Sequence, residues 1–333
     1  MSRQLLVPGL LVLAALLVAA VLASLMFGSK PIESSVVLDA LLRPEPGVTD
    51  HVIVRTVRVP RTVIAIMVGV GLGLAGALMQ GLTRNPLADP GILGVEAGAS
   101  LSVVLGIYFV GASHVVGYVW FAFLGAAVVS AGVYVLGATG RDGGSPVKLA
   151  LAGAAVSLFL SSVTAAILIR NIDTLTGFRQ WAVGSLSGRD LDTAMVVGPF
   201  IALGVVLTLS LGRHMNALAL GNELAAALGQ RPWRARLQCG IAVVLLCGAA
   251  TAAAGPIGFI GLIVPHLARV ATGPDNRWVL AYSALLGPIV LIAADVLGRV
   301  VDRPQEIQVG IMTALIGAPF FIIVASRRRM AEL

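Results

Sequence analysis

GRHMNALALGNELAAALGQRPWRAR, residues Gly212–Arg236, is a polar, basic interruption between two long apolar runs. Within it Leu220, Leu224 and Leu228 repeat every four residues, which predicts one apolar stripe on a short helix. Gly221 and Gly229 bracket that helix, and Ala217–Leu220 has room for a further turn. The stretch is too short and too polar to cross a bilayer. The apolar runs on either side are long enough to do so, and they enter and leave on the same side. An apolar stripe ringed by Arg213, Arg231, Arg234 and Arg236 fits a docking surface for a cytoplasmic partner. It equally fits a helix lying on lipid headgroups. The local sequence leaves both open.

Composition carries the same reading to the whole chain. Of 333 residues 58% are hydrophobic and 12% are charged, which no soluble domain of this size shows. Long apolar runs without short alternating segments predict an all-α polytopic membrane protein and exclude a barrel. No stretch is polar and long enough for a separate soluble domain, so residues 1–333 form one transmembrane domain, with 212–236 as its cytoplasmic region. The net charge of +7 comes from residues set between spans, a pattern that reports orientation and not nucleic-acid binding. Cys239 and Cys247 fall in one apolar run without metal-like spacing and read as packing residues.

Ten spans are predicted. Leu5–Phe27 is longer than a signal-peptide core and reads as a retained first span. After a polar loop over 28–60, the next spans run about Arg61–Leu82, Ile92–Val110 and Val115–Leu136. A turn-rich Gly140–Gly144 and Val147–Ile169 follow, then a loop through Asp192 and a sixth span, Thr193–Leu211. Beyond the Gly212–Arg236 stretch come Leu237–Ala254, the shorter Gly258–Val270, Trp278–Gly298 and Ile307–Ala325. The side carrying the N-terminus then holds the larger share of the 23 Lys and Arg, including Arg327–Arg329, so both termini are expected in the cytoplasm. Gly69, Gly73, Ala77 and Gly81 lie four apart, a spacing that lets helices approach closely in lipid. They serve either a tightly packed pathway or plain packing. Pro90-Gly91-Ile92 and Pro256-Ile257-Gly258 each open a span, on opposite sides, which hints at an inverted repeat of spans two to five and seven to ten.

Longer motifs carry a resemblance. Arg58-Val59-Pro60-Arg61, GALMQGLTRNPLADPGILGVEAGAS (Gly76–Ser100), Leu149–Gly153 and Trp181 with Gly184–Leu186 come in order along the chain. GPIGFIGLIVPHLAR (Gly255–Arg269), Ala294-Asp295 with Arg299, and LIGAPFF (Leu315–Phe321) follow. Together they strongly resemble the FecCD permeases, the membrane subunits of ABC importers for ferric siderophores, haem and cobalamin. The resemblance implies a ten-helix subunit paired with a second permease, identical or related. Two cytoplasmic ATPase subunits would bind ATP and Mg, an extracytoplasmic substrate-binding protein would deliver cargo, and no cofactor would sit in this chain. It also implies coupling helices at Ala217–Arg236, with Leu220, Glu223, Leu224, Leu228 and Arg234 meeting the ATPase. Arg58, Arg61 and Arg299 would receive acidic groups of the binding protein, with Arg303 joined by position. Asn85 and Leu87 would narrow the cytoplasmic end of the pathway, and Ser145–Val147 falls in the matching gate region. Within the family, the C-terminal half looks most like the ferric-siderophore branch.

Two other classes fit less well. An ion-coupled secondary transporter keeps ionisable groups at mid-membrane. Asp295 is the main candidate, but it lies toward the outer end of its span and four residues before Arg299, at helical ion-pair spacing. Glu96 lies near the inner end of its span. A membrane-embedded enzyme needs converging polar groups, whereas His51, His114 and His214 read as loop residues and His266 stands alone beside Pro265. No G-x-x-x-x-G-K-[ST] phosphate loop is present, so ATP hydrolysis belongs to another chain.

Overall fold

Helices make up every regular element among the described residues of the computed structural model, which are 5–111, 115–138 and 146–326. His114, Ser145, Gly140–Gly144 and Arg327–Arg329 lie outside them. In chain order the helices are α1 (Leu6–Met26), α2 (Ser34–Leu42), α3 (Thr49–Ile53) and α4 (Val59–Thr83). Then come α5 (Val95–Val110), α6 (Val115–Ala138), α7 (Pro146–Arg170), α8 (Ile172–Ala182) and α9 (Leu191–Ser210). The series closes with α10 (Gly212–Ala219), α11 (Asn222–Ala227), α12 (Pro232–Ala254), α13 (Ile260–Thr272), α14 (Asn276–Val301) and α15 (Val309–Ser326). Among the described residues 7 helices are long and apolar enough to cross a membrane; Val95–Val110, Ile260–Thr272 and Val309–Val324 are apolar but shorter.

The helix at the centre is α4, whose apolar window is 78% buried, against 6% for α1 and 11% for α7. Its small residues explain how so many neighbours fit around it. A Cβ on Gly69 would lie 2.5 Å from the Pro288 Cα, and one on Gly73 would lie 2.8 Å from the Ser283 carbonyl oxygen. Gly76 abuts Gly261, and Gly81 lies under the Met215 methyl. The small-residue repeat therefore serves close packing against α13, α14 and α10.

Residues 28–60 are not the polar loop the sequence suggested. Val37 and Ala40 of α2 pack with Leu25, Ile32 and Val54 into a small separate cluster, which gives this mixed-polarity stretch a reason to fold. From Thr49 the chain is helical through a π-helical turn at Val54–Arg58 and directly into α4. The segment before Asp192 likewise contains α8.

The Pro90 turn packs against the start of α13, whereas the Pro256 carbonyl lies against Gly184. Pro90–Leu93 forms a 3₁₀ turn whose Asp89 Oδ1 accepts from the Gly91 N–H at 2.8 Å, and Gly94 at φ 70° restarts the chain as α5. A Cβ on Gly261 in the first turn of α13 would lie 2.9 Å from the Pro90 Cδ. The Pro90 turn and the first turn of α13 thus meet beside Gly76, about two turns short of the end of α4. Interrupted helices meeting beside a continuous one are a recurring arrangement in transporters.

Candidate docking and gating surfaces

The Gly212–Arg236 stretch folds as two short helices. Gly221, at φ 109°, separates α10 from α11, so Leu220 closes the first helix and does not belong to the second. Leu218, Ala225 and Ala235 bury a small local core. On the other side Leu220, Leu224, Leu228 and Trp233 are 58%, 57%, 63% and 61% exposed. Glu223, Arg231 and Arg234 are exposed beside them, and the Arg234 guanidinium lies 5.3 Å from the Trp233 ring centroid. Four large apolar side chains exposed on one short polar stretch make it a candidate interaction surface. Beneath it, Arg84 Nη2 donates to the Leu218 carbonyl at 2.5 Å, and Asn216 Nδ2 donates to Asp275 Oδ1 at 2.7 Å. The Arg277 hydrogen bond, opposed by burial and assisted by Asn216, holds the Asp275 carboxyl well below the usual carboxylate range.

At the opposite end of α4 the arginines expected to dock the binding protein, Arg58, Arg61 and Arg299, turn inward in the single chain. They are 4%, 4% and 2% exposed. Arg61 Nη2 donates to Asp295 Oδ1 at 2.8 Å and its Nη1 to Glu306 Oε2 at 2.6 Å. Arg299 lies 3.0 Å from Asp295 Oδ2 and donates to the carbonyls of Ser24 and Phe27, each at 3.0 Å. Arg58 donates to the carbonyls of Leu25 and Met26 at 2.6 and 2.8 Å. The cause is the end of α1. Its last carbonyls are orphan acceptors in a desolvated place, and guanidinium groups from α4 and α14 satisfy them. Asp295 then balances the crowded positive charge, since removing either partner of such a buried set leaves an uncompensated ion. The i,i+4 pairing with Arg299 was readable; the second partner, Arg61, was not. Burial pushes the Glu306 carboxyl up, but the hydrogen bond and charge of Arg61 outweigh it and leave it below its ordinary value. Of the four predicted docking residues only Arg303 is exposed, and Arg55 is exposed as well.

Asn85 is exposed and closes a turn, its Oδ1 accepting from the Leu87 N–H at 2.9 Å. A groove of about 390 Å³ runs between Asn85, Thr83, Ala88 and Ile92 on one side and Val147, Ala150 and Leu151 of α7 on the other. Asn85 and Val147, named separately from sequence, therefore share one wall-to-wall opening. Leu87 turns the other way, toward Leu262, His266, Phe320 and Phe321. His266 packs its ring against Phe320 at 5.8 Å, and His51 and His214 sit on short helices, not in loops.

The family model for the FecCD transport family matches residues 16–327. The chain belongs to the FecCD transport family. Among its relatives, the ferric enterobactin transport system permease protein FepD of Escherichia coli (strain K12) is 44% identical over 327 residues, covering 98% of this chain and 96% of that protein. The probable siderophore transport system permease protein YfiZ of Bacillus subtilis (strain 168) is 46% identical over 281 residues, 84% of each chain. A solved metal-chelate type ABC transporter in an inward-facing conformation superposes with a TM-score of 0.82 at 28% identity, over 96% of this chain and 98% of that one. This FecCD chain is thus a multi-pass membrane permease subunit.

Some residues of the FecCD permease escaped the sequence reading. Glu306 and Asn216 make long-range bonds that no local pattern announces. Arg189, 6% exposed, donates to the Tyr118 hydroxyl at 3.0 Å and pins the turn after α8 to α6. The sequence reading also passed over Asp190-x-x-Thr193, a helix-start spacing whose Asp190 Oδ1 accepts from the Thr193 N–H at 2.8 Å.

Proposed function

We propose that this permease is the membrane subunit of an ATP-driven importer that carries a ferric siderophore into the cytoplasm. The exposed group Leu220, Leu224, Leu228 and Trp233 on tethered short helices carries the energetic half of that reading. A surface of this kind is poorly solvated until a partner covers it, and its tethers let it pass on a push. The chain lacks a phosphate loop, so the partner is an ATPase holding ATP and Mg. Two such subunits would serve a pair of permeases, with a second copy or a related chain completing the pathway. An extracytoplasmic binding protein would dock on the outer face, with Arg303 reaching its acidic groups and Arg58, Arg61 and Arg299 holding the ground beneath. Asn85, Leu87 and the facing start of α7 would form the cytoplasmic gate. The cargo follows the relatives, whose names include siderophore, ferric enterobactin and iron citrate permeases. A haem cargo is the second reading, favoured by the 38% identity to the hemin transport system permease protein HmuU of Yersinia pestis.

The test is uptake into proteoliposomes holding this chain with its co-purified ATPase and binding protein. A ferric siderophore and haem are offered in parallel. Uptake of the siderophore that needs both ATP and the binding protein is the expected result. Uptake driven by an ion gradient without ATP would overturn the mechanism.

A further inference from the structure

Asn216 belongs to none of the surfaces above, yet it makes the densest polar link between α10 and the membrane helices. Its amide nitrogen donates to Asp275 Oδ1 at 2.7 Å. Its oxygen accepts from the Asn276 backbone N–H at 2.8 Å and from the Asn276 side-chain nitrogen at 3.0 Å. One side chain therefore satisfies groups at the start of α14 that the helix itself cannot. Gly212, at the start of α10, lies so close to Arg277 that a Cβ would come within 3.1 Å of its Cα. The first turn of α14 and the body of α10 are thus joined without slack.

From that joint α14 runs for 26 residues as one helix, with Pro288 inside it packed on Gly69 of α4. At 1.5 Å per residue this is about 39 Å, a full membrane crossing. Along the way it is locked to α4 at Gly69 and Gly73, and near its far end Asp295 is bonded to Arg61. Close-packed helices of this kind transmit displacement because they compress little. We infer that Asn216 is a positioning residue, the joint through which movement of α10 and α11 is passed to α14 and, with it, to α4. The inference rests on the reading that an ATPase docks on the exposed leucines.

The test compares wild type, Asn216→Asp and the double variant Asn216→Asp with Asp275→Asn in the reconstituted importer, with a ferric siderophore as cargo. Asn216→Asp sets two carboxylates face to face; the double variant restores a donor–acceptor pair and keeps a competent cap for α14. Three quantities are read: ATPase retained on purification, ATP hydrolysed, and cargo moved per ATP. The expected result is retained ATPase with cargo per ATP down about tenfold in the single variant, the scale of one charge-assisted hydrogen bond, and recovered in the double. An unchanged ratio, loss of the ATPase from the variant, or no recovery would each overturn the joint. Should Asn216→Asp fail to fold, Asn216→Ser is read in the same way. Failure of the wild type itself to retain an ATPase would instead sink the docking reading.

Discussion

In the proposed orientation, the two ends of α4 and α14 solve opposite problems. At the outer end charge is drawn inward: Arg61, Asp295 and Arg299 are nearly sealed from solvent and bonded to one another and to α1. At the inner end apolar surface is pushed outward, with Leu224 and its neighbours exposed on helices held by a few hydrogen bonds. A buried ionic set tolerates little change in geometry, because its members lose most when one is displaced. A small exposed patch on short helices gains by being covered and can ride with whatever covers it. The contrast teaches that the chain is stiff where its arginines lie and responsive where its leucines lie. The sequence alone suggests the reverse only for the arginines, which read as docking charges, since the leucines already read as a docking stripe.

The contrast breaks most sharply at Asp295. Replacing it by alanine leaves two facing guanidinium groups buried, and about 3–5 kcal/mol of stability should be lost. Thermal unfolding of the detergent-solubilised subunit checks this, and an unshifted midpoint would show the outer network to be dispensable. At the inner end Leu224→Asp should change subunit stability by only about 0.5 kcal/mol or less. The ATPase should nevertheless fail to co-purify; normal co-purification with normal uptake would remove the role assigned to the patch.

Arg303→Glu sharpens the outer half. The residue is exposed and outside the buried set, so the midpoint should hold while association with the binding protein slows and loses its salt dependence. Rapid-mixing kinetics at two ionic strengths would decide, and an unaltered rate would move docking elsewhere. The smallest effect concerns pH. Asp275 is held well below the ordinary carboxylate value, chiefly by the Arg277 hydrogen bond. A depressed pKa contributes stability that is complete above the unfolded value of about 3.9 and fades only as pH falls through the folded one. Hydrogen exchange at the start of α14 should therefore be equally protected, relative to global stability, from pH 8 to pH 5; loss of protection at pH 5 would show the joint to be looser than its geometry.

The sequence made legible whatever depends on neighbours along the chain. The apolar runs, the glycine-bracketed helix with Leu224 and Leu228, and the Asp295–Arg299 spacing are all local signals. What stayed hidden depends on residues far apart. Arg61 reaches Asp295 across 234 positions, and Arg58 reaches the Leu25 carbonyl across 33. No periodicity encodes such a bond, and an arginine destined for burial has the same letter as one destined for solvent. The region before α4 was hidden for a different reason. Its helices bury few residues each, so their pattern is too short to stand out from a polar loop.

The capping of α1 has a consequence for how the protein is made. Arg299 bonds the Ser24 carbonyl from 275 residues further along. At translation rates of about 5–20 residues per second, the first helix waits roughly 15 to 55 seconds for that partner to be synthesised. During the interval the early caps from Arg58 and the surrounding lipid must hold it, and its mean hydropathy of 2.8 is the highest among the long helices. The greasiness of α1 is thus a provision for the nascent chain, needed before the rest of the molecule exists.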